Sequence, residues 1–282
     1  MEEARYLAGK TYRTRVRSDE LLLSGLRNDH RIEGLVAITE KLGRFPAESE
    51  YPQLSDLRAQ AGSEARLLQL VQTKLNGPAY DLAREARRTD VAYSLATVFL
   101  DLKRFPKVLE LPASIRIDAE SVFGSYKQAC QAATGYLLSI GQQENIKKAA
   151  RASEVGKLVG EDLYVHRSAL HLVPRELRLV HACAEMIVGP LEADLIKFKL
   201  KQKAVSFLYY KDFDSDPHPS LSLSIKVDLQ SGKHYWRNYS TGENPPILHR
   251  KESFVAPDYP SRALFERLTQ AEDKAGPRPK VS

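Results

Sequence analysis

Cysteine is scarce. Two residues in a chain of 282, Cys130 and Cys183, lie far apart in apolar helical contexts. That excludes a disulfide framework or a cysteine-built zinc site and suits small buried hydrophobes in a reducing compartment. Long apolar runs are missing too: none approaches the roughly 20 residues that cross a bilayer, and the N-terminus has no uninterrupted apolar signal core. The expected location is therefore cytoplasmic, without a membrane partner. The glycines are scattered singly, with no G-x-G-x-x-G, phosphate-binding loop or G-x-S-x-G, so nucleotide-binding and serine-hydrolase readings have no support.

What remains is globular in composition, with 43% hydrophobic and 28% charged residues. The length suits two domains, each able to bury a core. A formal net charge of +6 tilts towards an anionic partner.

The first 17 residues interleave Arg5, Lys10, Arg13, Arg15 and Arg17 with Tyr6 and Tyr12. Such an arm can lie along phosphates, or be a frayed terminus. Ser18 and Asp19 then cap an expected helix to about Lys41, whose apolar side includes Leu22, Leu26, Ile32, Leu35 and Ile38. A repeat follows. Leu42, Arg44, Phe45 and Pro46 recur as Leu102, Arg104, Phe105 and Pro106, and Gly62-Ser63 recurs as Gly124-Ser125. Each copy predicts a helix end, an Arg-Phe-Pro turn, a small helix, and a Gly-Ser break into another helix. Ser125 with Gln128 has capping-box spacing. Between the copies, residues 80–101 predict a helix whose Arg84, Arg87 and Arg88 read as a solvated face. A polar helix at 145–153 and the glycines at 156 and 160 then suggest a boundary.

The second half changes character. Residues 164–168, YVHRS, precede a helix at 174–188, and strands are expected at 203–210 and 221–229. In the second strand Leu221, Leu223, Ile225, Val227 and Leu229 alternate with polar residues, and Ser231-Gly232 turns the chain into a hairpin partner at 234–239. The fold class expected is α+β: a basic arm (1–18), a helical domain containing the internal repeat (19–155), and a smaller α+β domain with an antiparallel sheet (156–282).

Chemistry concentrates in two loops of that second half. Asp212, Asp214 and Asp216 stand at alternate positions with His218 beyond them, ligands that would take a hard cation such as Mg²⁺ or Mn²⁺ if the loop curls; a plain turn is the other reading. In residues 244–254, NPPILHRKESF, Pro245 and Pro246 stiffen the backbone ahead of His249, Arg250, Lys251 and Glu252. There His249, Lys251 and Glu252 are the candidate catalytic groups and Arg250 a phosphate fork. His166 and Arg167, Tyr126 and Lys127 at a helix start, and Arg13, Arg15 and Arg17 complete the candidate DNA contacts. If the loops converge, phosphodiester chemistry would have its acid, base and metal ligands.

The segment VFGSYKQACQAA after RFP resembles the small helical repeats found beside homing endonucleases, where such a pattern frames a DNA-contacting helix; the first copy departs from it at Ala61 and Ala65. More broadly, GKLVGEDLYVHRSAL, SFLYYKDFDSDPHPSL and RNYSTGENPPILHRKESFVAPDYP, with FGSYKQAC and LGRFP before them, resemble the bacterial family of DNA phosphorothioation-associated methyltransferases over nearly the whole chain. The resemblance implies a place beside DNA modification, restriction and phage defence. It is a resemblance to that family's C-terminal region alone, because the Gly-rich S-adenosylmethionine domain has no counterpart here. The resemblance therefore implies no methyl transfer by this chain, and S-adenosylmethionine only through a separate methyltransferase domain. The expected function is a DNA-binding accessory module acting on plain or phosphorothioated DNA. The alternatives are a metal-dependent nuclease of the same system and a scaffold for the methyltransferase domain.

Overall fold

The structure is a computed structural model that describes residues 25–242 and 244–276. Arg13, Arg15, Arg17 and the expected cap at Ser18-Asp19 lie outside the described residues. The fold class is α+β, helices first and an antiparallel sheet after them. Among the described residues no helix is long and apolar enough to cross a membrane.

The chain divides into two compact units. The first comprises the described residues up to Leu95 with Pro106–Ala133, and the second Ala96–Phe105 with the described residues from Thr134 onwards. The division thus falls earlier than residue 155, and its cause is plain in the packing of the second unit described below.

In the first unit, α1 (His30–Leu42), α2 (Leu54–Ala61) and α3 (Glu64–Lys74) close over Leu26, Ile32, Leu35, Leu54, Leu57 and Leu67. The single helix expected over 18–41 is interrupted: Asp29 is extended, takes the Arg31 backbone N–H at 2.9 Å, and caps α1. A short acidic side chain competes well for the free amides of a first turn, so the helix restarts there. The 26-residue α4 (Gly77–Leu102) begins in this unit and enters the second. It is followed by α5 (Ala113–Phe123) and α6 (Tyr126–Ile140).

The repeat extends to individual hydrogen bonds. In both copies the arginine of the Arg-Phe-Pro turn donates to the next carbonyl, Arg44 to Phe45 O and Arg104 to Phe105 O, each at 3.1 Å. Six residues on, a glutamate takes a backbone N–H at 2.8 Å, Ala47 N to Glu50 and Lys107 N to Glu110. Gly62 and Gly124 both end a helix at positive φ, and Ser63 and Ser125 both cap the next. At one position the copies share a left-handed backbone but not the residue type. Gly43 has φ 64° where Lys103 has φ 59°. A Cβ on Gly43 would stand 2.3 Å from the Arg84 backbone nitrogen, so α4 can lie this close only to a glycine.

Arg84, Arg87 and Arg88 overturn the expectation of a solvated face. Arg84 donates to Ser121 O at 3.0 Å, Arg87 to Leu42 O at 3.3 Å, and Arg88 to Val122 O at 2.6 Å while lying over the Phe123 ring. They satisfy the orphan carbonyls at the ends of α1 and α5, which cations do well. Arg44, 1% exposed, is forked by Glu50 and bonded to Asp118, which Arg87 also reaches. The Arg44 guanidinium holds the Glu50 carboxyl down at about 2.

The second unit is built on a six-stranded antiparallel meander in sequence order: β1 (Lys157–Val159), β2 (Asp162–His166), β3 (Leu195–Lys199), β4 (Ala204–Tyr210), β5 (Leu221–Asp228) and β6 (His234–Asn238). One face is covered by α7 (Gln143–Arg151) and α8 (Arg175–Val188). Ile146, Ala149, Ala150, Leu177, Val180 and Ala184 meet Leu163, Val165, Ile196, Phe198, Val205 and Phe207 there. Helix α7 thus shares the sheet's core, which is why the unit starts before 155.

Among the described residues the other face is covered at one end, by Phe213, Leu248, Phe254, Val255 and Phe265 against Leu195, Leu208 and Leu221. Phe265 comes from α9 (Arg262–Ala275). The alternation in β5 does not run unbroken. Tyr209 pairs with Leu223 but Tyr210 with Leu221, leaving Ser222 as the extra residue of a bulge. Ile225, Val227 and Leu229 therefore face the helices, while Leu221 joins the opposite cluster.

Candidate functional site

The three stretches singled out in the second half come together. Pro245 and Pro246 bring the chain back to β5, where Leu221 N donates to Pro246 O at 2.7 Å and Leu248 N to Pro219 O at 2.9 Å. Farther on, His166 N donates to Phe254 O at 2.9 Å. The end of β2, the loop at 211–220, the segment at 247–256 and α9 thus surround one aromatic cluster at one end of the sheet.

Lys251 stands at its centre, and not as the exposed catalytic cation expected. The side chain is 3% exposed, and its ammonium donates to Phe213 O at 2.6 Å and Asp216 O at 2.7 Å while lying 3.9 Å from the Phe265 ring centre. Burial pushes its pKa down, and Asp214 and Asp216 oppose that shift. An ammonium whose protons are spent on two carbonyls and a ring face organises the loop as a bound cation would, and has none left for a substrate.

The carboxylates of that loop do not share a ligand sphere. Asp212 is exposed at φ 54°, Asp214 accepts from the Tyr259 hydroxyl at 2.7 Å, and Asp216 takes the His218 backbone N–H at 2.9 Å. Asp216 is committed locally, as short side chains in turns commonly are, and Asp214 to a tyrosine from a distant segment. Of the expected ligand set only His218 enters a cluster of metal-ligating groups among the described residues, and its companions there are His249 and Glu272.

His166 is not placed to touch phosphate. It is 1% exposed, stacked on Phe213 at 4.6 Å and edge-on to Tyr259 at 5.0 Å. Ser168 N donates to its Nδ1 at 3.1 Å, so the neutral ring carries its proton on Nε2. Burial, and after it the Arg167 charge, push its pKa down to about 4. Tyr259 moves the other way, up to about 12, through burial and its bond to Asp214. Arg167 is exposed. Arg250 sits at φ 57° and pairs with Asp273 at 2.6 Å, and Glu252 accepts from the Thr269 hydroxyl at 3.0 Å. In the first unit the Tyr126 hydroxyl is spent on Pro106 O, and Lys127 is exposed.

A further set of residues was missed. Across all six strands one row on the half-covered face reads Lys157, Tyr164, Lys197, Ser206, Lys226 and Tyr235, each paired with the next. Lys199 and Arg237 lie on the same face in the adjoining rows. The three rows hold these five cations against two carboxylates, Asp162 and Asp228. Asp162 pairs with Lys197 at 3.0 Å, and Asp228 is taken by the turn amides of Gln230 and Ser231. Lys199 has its pKa pushed down by burial first, then by the charges of Lys197 and Lys226. The signal was available in LIKFK, whose alternation puts two lysines on one face.

Comparison of the chain with protein-family models, curated proteins and solved structures finds no match. The functional reading rests on these arrangements.

Proposed function

We propose that the chain is a DNA-binding accessory module that grips the phosphate backbone with the lysine-rich face of its sheet. The observation that carries this is the row of Lys157, Lys197 and Lys226 interleaved with Tyr164 and Tyr235. These lysines stand on every second strand and outnumber the carboxylates of their rows, so the face is net positive, and an anion laid across it releases counterions. Tyr235, 55% exposed at the end of the row, offers a face on which a base or sugar can rest, as in other sheet platforms for nucleic acid, while the Tyr164 ring is already covered by Lys197 at 4.6 Å. The sequence resemblance to phosphorothioation-associated proteins is what makes DNA, plain or phosphorothioated, the polyanion to try first. No methyl transfer belongs to this reading.

The test is fluorescence anisotropy with single- and double-stranded oligonucleotides, plain and phosphorothioated, over a salt series. Affinity should fall steeply with salt, and the triple variant Lys197→Ala/Lys226→Ala/Arg237→Ala should flatten the log–log slope by about one for each phosphate that is no longer neutralised. Binding insensitive to salt, or undiminished in the triple variant, would end the proposal. Weakened binding only in an Arg13→Ala/Arg15→Ala/Arg17→Ala variant would move the phosphate-gripping surface to the basic arm.

A further inference from the structure

We propose that His218, His249 and Glu272 form a binding site for one divalent transition-metal ion of the zinc type. They come from three separate segments, the loop after β4, the stretch after the Pro-Pro pair and the last turns of α9. Even so, one ligand atom from each lies within 4.8 Å of the others. Tetrahedral zinc, with bonds of about 2.0–2.1 Å, sets its donors about 3.3 Å apart, so small side-chain rotations close the set. The His218 and His249 rings already lie 4.6 Å apart, and His218 Nε2 is 2.6 Å from Glu272 Oε1.

Two independent features support the assignment. The first is an unspent nitrogen: His218 Nδ1 is buried and has no hydrogen-bond partner among the described residues, while Nε2 faces Glu272. The second is how the ligand-bearing backbones are held. Asp216 caps His218 N at 2.9 Å, and the Asp216 carbonyl is fixed by the buried Lys251 at 2.7 Å. Arg250 and Asp273, each one residue from a ligand, pair at 2.6 Å and set His249 against the end of α9. Beside the cluster is a cleft of about 10 Å³ bordered by Pro217, His218, Arg250, Lys251 and Glu272, room for about one water.

The donor set decides the metal. Two imidazoles and one carboxylate favour zinc and its neighbours over Mg²⁺ or Mn²⁺, which take oxygen. Three protein donors leave at least one position for water. The ion would cross-link α9 to the loops and stabilise the unit by mass action.

The experiment uses the untagged full chain after chelator treatment, titrated with Zn²⁺ calorimetrically and with Co²⁺ by visible absorption. The expected result is one equivalent bound at micromolar affinity or tighter, a low-symmetry Co²⁺ spectrum, a raised melting temperature, and no competition by millimolar Mg²⁺. His249→Ala and Glu272→Gln, both at solvent-accessible positions, should each weaken binding by about tenfold or more with an unchanged far-ultraviolet spectrum, and His234→Ala should not. Absence of stoichiometric zinc, displacement by Mg²⁺, or undiminished binding in both ligand variants would overturn the proposal. None of these outcomes depends on DNA binding.

Discussion

Replacing Lys251 by methionine separates a structural ammonium from a catalytic one. Methionine keeps most of the stem and its volume, so the change removes the charge with little loss of packing. What disappears is a pair of charge-assisted bonds, to Phe213 O and Asp216 O at 2.6 and 2.7 Å, and the stacking against the Phe265 ring at 3.9 Å. Bonds of that kind contribute about 1.5–3 kcal/mol each, and two carbonyls would be left without their donor. The ring interaction adds about 2 kcal/mol when desolvated. Against this, the variant no longer dehydrates an ammonium, a cost seen in the lowered pKa of Lys251. The balance is a destabilisation of about 2–5 kcal/mol, concentrated at the loop the lysine holds. Hydrogen exchange is the assay, because the Ser215 and Asp216 amides that close the loop on Asp212 O at 3.2 and 2.9 Å report its opening directly. At about 1.4 kcal/mol per decade, their exchange should quicken about 30-fold or more. Unchanged exchange, with loss of a binding or catalytic activity alone, would refute the reasoning and restore Lys251 to the chemistry.

Other perturbations probe the rest of the molecule. Gly43→Ala should lower the melting temperature sharply or abolish folding, since the new Cβ meets backbone at 2.3 Å. Lys103→Gly, at the corresponding place of the second copy, should stay within about 1 kcal/mol of the parent in denaturant titration. Asp118→Ala leaves buried Arg44 with Glu50 as its one remaining carboxylate and should cost about 3–5 kcal/mol; a change under about 1 kcal/mol would show the network to be dispensable. His166 and His181, both with pKa pushed by burial from 6.5 to about 4, protonate in the unfolded chain before the folded one. Stability is therefore intact above pH 6.5 and falls as pH drops towards 4, by about 2 kcal/mol per histidine at pH 5. Urea titrations at pH 7.5 and 5 check this, and a flat profile would contradict it.

The repeat was legible because its signals are local: Arg-Phe-Pro, Gly and Ser each act within a few residues on the backbone they occupy. So was the β5–β6 hairpin, with its alternation and Ser-Gly turn. Strands β1 and β2, of three and five residues, carry too little periodicity to stand out from loops, whereas β3 shows its alternation in LIKFK but is only five residues long. Helix α9, the source of Glu272, fell after the last motif and was not anticipated. Lys251 misled for a physical reason. A lysine between arginine and glutamate reads as a surface charge, and only the arrival of the 211–220 loop, thirty-five residues upstream in the Asp216 bond, turns it inward. The 211–220 loop meets the 244–254 stretch at the Ser220–Ile247 bridge, which no local pattern announces.

The meander order of the sheet bears on how this unit assembles over time. Every strand pairs with its neighbour in sequence, so each pair can form as soon as its second strand exists, at a small loop-closure cost everywhere but between β2 and β3, where α8 intervenes. The aromatic end-cluster is different, because His166 must wait for Phe254 and Phe213 for Phe265. During synthesis the sheet would thus be paired while that end of it is still bare, and α9 would be the last piece to arrive.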